Sequence, residues 1–342
     1  MRPLRIGVAG LGFGADVHLP VLLGFPDVTV VGLLGRSNIT SSKVSGLYGV
    51  PVFDSIQELL NLDLDAVTLA LPPTEIADVV KPALHRGVAI LCEKPLGPDA
   101  SHLEALSRLG RAKVTMVDFI FAELDVFMRL KRIIDDQTLG RLRYANLLWL
   151  TESWAHQNGT WSWKTDARRY GGVITLLGAH IFYLAEWLFG PASSVHANIS
   201  SRVSSKFAPI GEVAAEDLVE CRFRHDNQMT LNCTFGNANP GIAVHRWTVV
   251  FENASVILEN TSKDYTAFKL YILKRDQPCE CHTEPASSID GRIAPFTKLA
   301  RRFVDAARGG YLTYPDFRAG ARVHDIELAV RKSAFSHEEV AT

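Results

Sequence analysis

From Leu4 onward the chain alternates short, nearly continuous apolar runs with segments whose apolar residues recur every third or fourth position. The runs at 4–9, 28–34, 66–71, 88–92 and 114–117 read as strands buried on both faces, the pattern of a parallel sheet covered on each side by helices. The intervening segments, among them 15–23, 76–86 and 101–109, read as the crossover helices that close βαβ units. Residues 1–120 are therefore expected to form one doubly wound parallel sheet of the α/β class.

After Asp118 the pattern changes. An amphipathic segment at 121–136 ends at Leu139-Gly140-Arg141, and longer strands follow in which apolar and polar residues alternate. Runs 219–223 and 229–235, separated by His225-Asp226-Asn227, read as a hairpin with one wet face. Runs 246–251, 255–258 and 268–273 continue the meander, and helices are expected at 296–307 and 317–332. Residues 121–342 thus read as a second, α+β domain built on a large, mostly antiparallel open sheet.

Composition narrows the function. The 342 residues are 47% hydrophobic and 21% charged with a formal net charge of -1, which gives no broad cationic field for nucleic acid or an anionic membrane. A small-molecule ligand is expected instead. The first strand begins within a few residues of Met1, leaving no room for a secretory leader, and no apolar run reads as a membrane span. Five cysteines, three of them in strand patterns, suit reduced thiols and a cytoplasmic protein. Cys279-Glu280-Cys281-His282 lacks a second ligand pair at metal-site spacing, so no metal is assigned.

Gly10-Leu11-Gly12-Phe13-Gly14-Ala15 stands between the first strand and the first helix. That context gives a glycine pattern its meaning: Gly10 for the tight turn, Gly12 for close approach of a pyrophosphate, Ala15 in place of the third glycine at the helix–strand contact. The helix N-terminus, opened by Phe13 and Gly14, offers free N–H groups to the anion. The second strand ends Leu34-Gly35-Arg36-Ser37, where an NAD-selective site carries an acid for the ribose hydroxyls. Arg36 and Ser37 suit a 2′-phosphate instead. NADP is the expected cofactor and NAD the second choice.

Two further stretches carry candidate chemistry. In Cys92-Glu93-Lys94-Pro95 a lysine leaves a buried strand and is stiffened by proline; taken alone, it also fits an exposed strand-end lysine. Residues 152–170 gather Trp154, Trp161 and Trp163 with His156 and Lys164, aromatic faces with polar rims that suit a polyol or sugar ring. The alternative is that these tryptophans only pack the loop. His180 opens a strongly apolar helix and by itself reads as a packing histidine.

Taken together, the glycine turn, Leu71-Pro72-Pro73-Thr74 after the fourth strand, Glu93-Lys94-Pro95, Phe119-Ile120-Phe121, Leu139-Gly140, and Gly171-Gly172 leading to Gly178-Ala179-His180 resemble the Gfo/Idh/MocA oxidoreductases. The resemblance implies a Rossmann domain followed by an open-sheet domain, with the site in the cleft between them and a homodimeric or homotetrameric assembly. It implies that Leu71, Pro72 and Thr74 line the cofactor. It also implies that Glu93 holds the strand end and that Lys94 stabilises charge on the reacting oxygen beside the nicotinamide, with Pro95 in a cis bond. His180 becomes the general acid/base, and Lys164, after Trp163, the basic residue that touches substrate.

The expected activity is hydride exchange between NAD(P) and a sugar, cyclitol or related polyhydroxylated or keto compound. One departure stands out. The family commonly has an aspartate four residues before the histidine, where this chain has Leu176. Thr175 and Tyr183 are the polar substitutes at hand, and neither supplies charge at neutral pH. The departure keeps a second expectation open, a catalytically silent NAD(P)-binding sensor, and it predicts that His180 titrates lower than in a carboxylate-paired site.

Overall fold

The computed structural model describes residues 2–35, 38–98, 114–264, 266–285 and 290–342. The chain forms two compact units, Met1–Ile120 with Arg292–Arg322, and Phe121–Gly291 with Val323–Thr342.

The first unit holds six strands: β1 (Leu4–Ala9), β2 (Val28–Leu34), β3 (Val52–Phe53), β4 (Ala66–Leu69), β5 (Ala89–Glu93) and β6 (Thr115–Asp118). They pair in parallel in the order β3-β2-β1-β4-β5-β6. Every residue of β4 and β6 is buried, as expected for strands covered on both faces. The crossover Pro73–His85 buries Ile76, Val79, Val80, Ala83 and Leu84 at helical spacing, and Pro73 opens it where a missing N–H costs nothing. The crossover expected at 101–109 lies outside the described residues.

Arg292–Arg322 also belongs to this unit, whereas the sequence pattern ran the second domain unbroken from 121 to 342. Its packing explains the grouping. Phe296 is fully buried and stacks on His18 at 4.2 Å, Arg301 and Arg308 both pair with Asp27, and the Phe317 amide donates to Thr115 Oγ1. A contiguous reading of the chain cannot anticipate a return to the first sheet.

The second unit is built on β7 (Leu142–Leu150), β8 (Ala192–Ser200), β9 (Leu218–His225), β10 (Thr230–Gly236), β11 (Val244–Phe251), β12 (Ala254–Asn260), β13 (Lys269–Lys274), β14 (Glu280–Thr283) and β15 (Val340–Ala341). The order is β14-β13-β12-β11-β7-β10-β9-β8-β15, antiparallel except where β10 runs alongside β7. Strand β9 alternates buried and exposed residues strictly, so one face is dry and the other wet. On the dry face lie helices Asp125–Asp135 and Ala179–Phe189, with Phe127 edge-on to Trp247 and Phe182 edge-on to Phe235. The apolar stretch Ala167–Phe189 matches a membrane span in length and composition, but 83% of its most apolar window is buried within the fold, as a core segment is.

Candidate active site

The strand order reverses beside β1, which has β2 on one side and β4 on the other. At that point the chain leaves β1 through Gly10, whose φ is +118°. A Cβ there would come within 2.2 Å of the Ala70 carbonyl oxygen, so no other residue fits. Two residues on, a Cβ at Gly12 would meet nothing within 4 Å. The turn therefore presents bare backbone to open space. The chain then enters a wide helical turn, Gly14–His18, which continues as the helix Leu19–Leu23.

A cavity of about 360 Å³ runs along this turn, lined by Gly10, Leu11, Leu34, Gly35 and Leu71, with Glu75 and Asp78 from the helix Pro73–His85. It lies at the carboxyl ends of β1, β2 and β4, where open α/β sheets bind nucleotides. Gly14 and Ala15 are buried in the first turn of the helix, and Phe13 packs edge-on against His18 and Phe296. Pro72 caps the helix in which Thr74 occupies the first turn. Arg36 and Ser37 lie outside the described residues. The bare turn, the open space before it and the adjoining cavity fit a dinucleotide.

Strand β5 ends on Glu93, and the half-buried Lys94 follows, joined to Pro95 by a cis peptide bond. Glu93 pairs in register with Asp118, the last residue of β6. Between them points the fully buried His18, its Nε2 3.8 Å from Glu93 Oε1 and 3.7 Å from Asp118 Oδ2. Burial works to raise the Glu93 pKa, but His18 and Asp118 beside it, with the charge of Lys94, outweigh it, and the carboxyl stays below its ordinary value. The ligand atoms of His18, Glu93 and Asp118 lie within 4.8 Å of one another. A positive charge between them, a proton on His18 or a bound cation, would tie the glycine-turn helix to the end of β5. Sequence reasoning named Glu93 but missed its two partners; the signal was an acid at the end of each of two adjacent strands.

In the second unit a wide turn, Ile174–Gly178, leads into the helix Ala179–Phe189 and delivers His180. His180 is buried, with Phe121 edge-on at 4.8 Å and the Trp149 ring at 6.4 Å. Leu176 is half-buried on the turn, and Tyr183 is buried on the helix. Thr175 meets a guanidinium. Its Oγ1 accepts from Arg331, which also pairs with Glu216 at 2.7 Å, and Glu216 in turn accepts the Ile174 amide. This buried network fixes the turn before His180. Burial would lower the Arg331 pKa, but Glu216 and Glu327 outweigh it and hold it above the ordinary guanidinium value. Nearby, the Tyr170 hydroxyl donates to Glu327 Oε2 and lies 2.7 Å from His324 Nδ1. Burial, then the Glu327 charge, pushes its pKa up.

Comparison with known proteins decides the family. Residues 4–119 match the model of the Gfo/Idh/MocA oxidoreductase family, NAD-binding Rossmann fold, and residues 127–257 match the Gfo/Idh/MocA C-terminal domain. The chain belongs to the Gfo/Idh/MocA oxidoreductases.

Among relatives, an uncharacterized oxidoreductase of Synechocystis sp. is 27% identical over 93% of this chain and 90% of its own length. Inositol 2-dehydrogenase of Rhizobium meliloti is 27% identical over 55% of each chain, so the match spans about half of that enzyme. A solved structure of levoglucosan dehydrogenase with NADH and levoglucosan superposes with a TM-score of 0.86 at 19% identity, over 99% of both chains. At that identity the likeness shows the fold.

In this family member the aromatic-rich loop does several different things. His156 has Ser153 Oγ at 2.7 Å from Nδ1 and Ser204 Oγ at 3.0 Å from Nε2, so both ring nitrogens are engaged within the protein rather than offered to a ligand. Burial lowers its pKa. Lys164 extends over the Trp163 ring with Nζ 5.9 Å from the centroid. Trp154 is the loop tryptophan that lines a cavity of about 490 Å³, together with Trp149 and His245. His245 was not anticipated, because nothing local distinguishes it from a strand histidine in the core.

Proposed function

We propose that this chain is an NADP-dependent oxidoreductase that exchanges hydride between the nicotinamide and the carbinol carbon of a sugar, cyclitol or related polyhydroxylated or keto substrate. The observation that carries the reading is the reversal of strand order at a glycine turn whose Gly12 faces open space. The bound cofactor supplies the hydride chemistry. Gly10 and Gly12 admit the pyrophosphate, and Lys94 places an ammonium where negative charge develops on the reacting oxygen. His180 exchanges the hydroxyl proton, a task suited to a group that titrates near neutral pH. The enzyme is further proposed to be cytoplasmic and to assemble as a homodimer or homotetramer through its open sheet, which leaves Tyr144, Ile199 and Leu273 exposed. Sedimentation giving only monomer at micromolar concentration overturns that assembly.

NADP is supported by Arg36 and Ser37, which follow Gly35 in the sequence where an NAD-selective chain carries an acid. Glu75 and Asp78 in the wall of the cavity favour the other nucleotide, since carboxylates accept from ribose hydroxyls and repel a phosphate. A silent sensor is supported by Leu176, which leaves His180 without the family carboxylate four residues before it. Steady-state assays with NADP⁺ and NADPH against a panel of polyols and ketoses test the reading. Lys94→Ala is expected to lower kcat at least 100-fold while the NADPH Kd moves less than threefold. No turnover in wild-type protein, with stoichiometric NADPH binding, would transfer the reading to the sensor.

A further inference from the structure

The 490 Å³ cavity of the second unit lies where the carboxyl end of β7, the amino end of β11 and the carboxyl end of β12 meet, three adjacent strands. His180 is not among its lining residues. Trp149 stands between the two: its ring is 6.4 Å from His180 and stacks on His245 at 3.9 Å with an interplanar angle of 7°. The cavity is therefore one aromatic ring removed from the histidine assigned to proton exchange. Its volume falls within the ~300–1,000 Å³ of small-molecule sites.

The lining is specific in its chemistry. Trp154 is 68% exposed at the cavity wall, an indole with surface to offer a ligand. An indole face suits the C–H side of a pyranose. His245 Nε2 accepts from the Trp247 indole at 2.9 Å, so its proton sits on Nδ1 as a donor. Burial pushes its pKa down to about 3, and it stays neutral. Glu152 adds a carboxylate acceptor, Gln157 a donor and an acceptor, and Lys263 a further donor. The Lys263 loop is pinned, since Asn260 Oδ1 accepts from the Ser262 amide at 2.8 Å. The lining carries one carboxylate and one ammonium, so its net charge selects neither anion nor cation. It matches a neutral ring bearing several hydroxyls.

We infer that this cavity is a subsite for a second sugar ring, so that the substrate is a disaccharide or glycoside whose oxidised ring meets His180 while its partner ring stacks on Trp154. The inference rests on the reading of the chain as a sugar oxidoreductase. A single cyclitol leaves the cavity without a ligand ring, and a substrate carrying a second ring fills it.

The test uses full-length protein with bound NADPH, titrated with glucose, galactose and myo-inositol and with maltose, cellobiose, trehalose and phenyl β-glucoside. Binding is read by tryptophan emission and saturation-transfer NMR. At least one two-ring ligand is expected to bind tenfold or more tightly than its single ring. Trp154→Ala is expected to erase that advantage, weakening the two-ring ligand about tenfold more than its single ring, and Trp154→Phe to retain most of it. Trp154 is exposed, so both variants fold. Equal affinity for one and two rings overturns the inference, as does equal weakening of both by Trp154→Ala, which would place the reacting ring itself in the cavity. Two-ring binding without hydride exchange would overturn the oxidoreductase reading and leave the subsite standing; turnover of single rings with no two-ring advantage does the reverse.

Discussion

A methyl group added at Gly12 separates cofactor binding from folding more cleanly than any other change in the first unit. A Cβ at Gly12 meets no protein atom within 4 Å, and its φ lies outside the left-handed region. Alanine therefore fits without strain and restricts the unfolded chain, a gain of about 0.4–1 kcal/mol. At Gly10 the same methyl meets the Ala70 carbonyl oxygen at 2.2 Å with φ at +118°. The backbone strain alone costs about 1–3 kcal/mol, and the overlap adds to it. Urea unfolding should thus show Gly12→Ala at or above wild-type stability and Gly10→Ala well below. If the turn cradles a pyrophosphate, Gly12→Ala pushes it back by the width of a methyl group. Both NADPH and NADH should then bind at least tenfold more weakly by fluorescence titration, a loss of about 1.4 kcal/mol or more. The pyrophosphate is common to both nucleotides, so the two losses should be equal. Unchanged affinity in a stably folded Gly12→Ala protein would remove the cofactor from this turn.

Other consequences follow from the same geometry. Arg36→Asp should weaken NADPH at least tenfold and leave NADH within threefold in the same titration; equal effects on both would detach Arg36 from a 2′-phosphate. Arg331→Met strands Glu216 in a buried site and should lower stability by about 3 kcal/mol, the low end for a broken buried pair because Arg331 keeps 28% side-chain exposure. Adding Glu216→Gln to that variant should recover part of the loss. His245, held neutral to about pH 3, binds its proton in the unfolded chain below about 6.5 but not in the native one. Its contribution to stability should accordingly fall as pH drops from 6.5 toward 3, by up to about 1.4 kcal/mol per pH unit. His245→Phe should flatten that part of the urea-midpoint profile, and an unchanged profile would refute the assignment.

What could be read from the sequence is what repeats locally. Strands β1 and β2 fall at the expected residues because their apolar runs are bounded by turn signals, and the β9–β10 hairpin because β9 alternates strictly. Strand β8 escaped because Ser, His and Asn interrupt its apolar positions, and the parallel pairing of β10 with β7 because hairpin logic joins only neighbours in sequence. The site follows the same division. Gly10, Gly12 and Lys94 belong to short motifs at element ends, so their places were visible. His18 and Asp118 meet Glu93 only because the sheet sets β6 beside β5 and the glycine turn above them. His156 drew attention by its company in the loop, yet Ser204, 48 residues downstream, holds its Nε2.

Leu176 is where the sequence and the structure together sharpen the catalytic question. The sequence shows that the family carboxylate is absent, and the structure shows that Thr175, the polar residue beside Leu176 in the chain, accepts from Arg331. A hydroxyl that accepts from a guanidinium brings no negative charge with which to favour a protonated imidazole. Leu176→Asp restores the carboxylate on a half-buried turn, four residues before His180 and so on the same helical face. An anion close to an imidazole favours its protonated form by about 1–3 pH units. If His180 exchanges the substrate proton, the limb of the kcat/KM profile that reports its ionisation should move to higher pH by that amount in Leu176→Asp, and the shift should vanish when His180→Asn is added. A profile that does not move would separate His180 from the proton transfer. Activity that appears only in the aspartate variant would identify the native chain as a binding protein that keeps the oxidoreductase framework without its turnover.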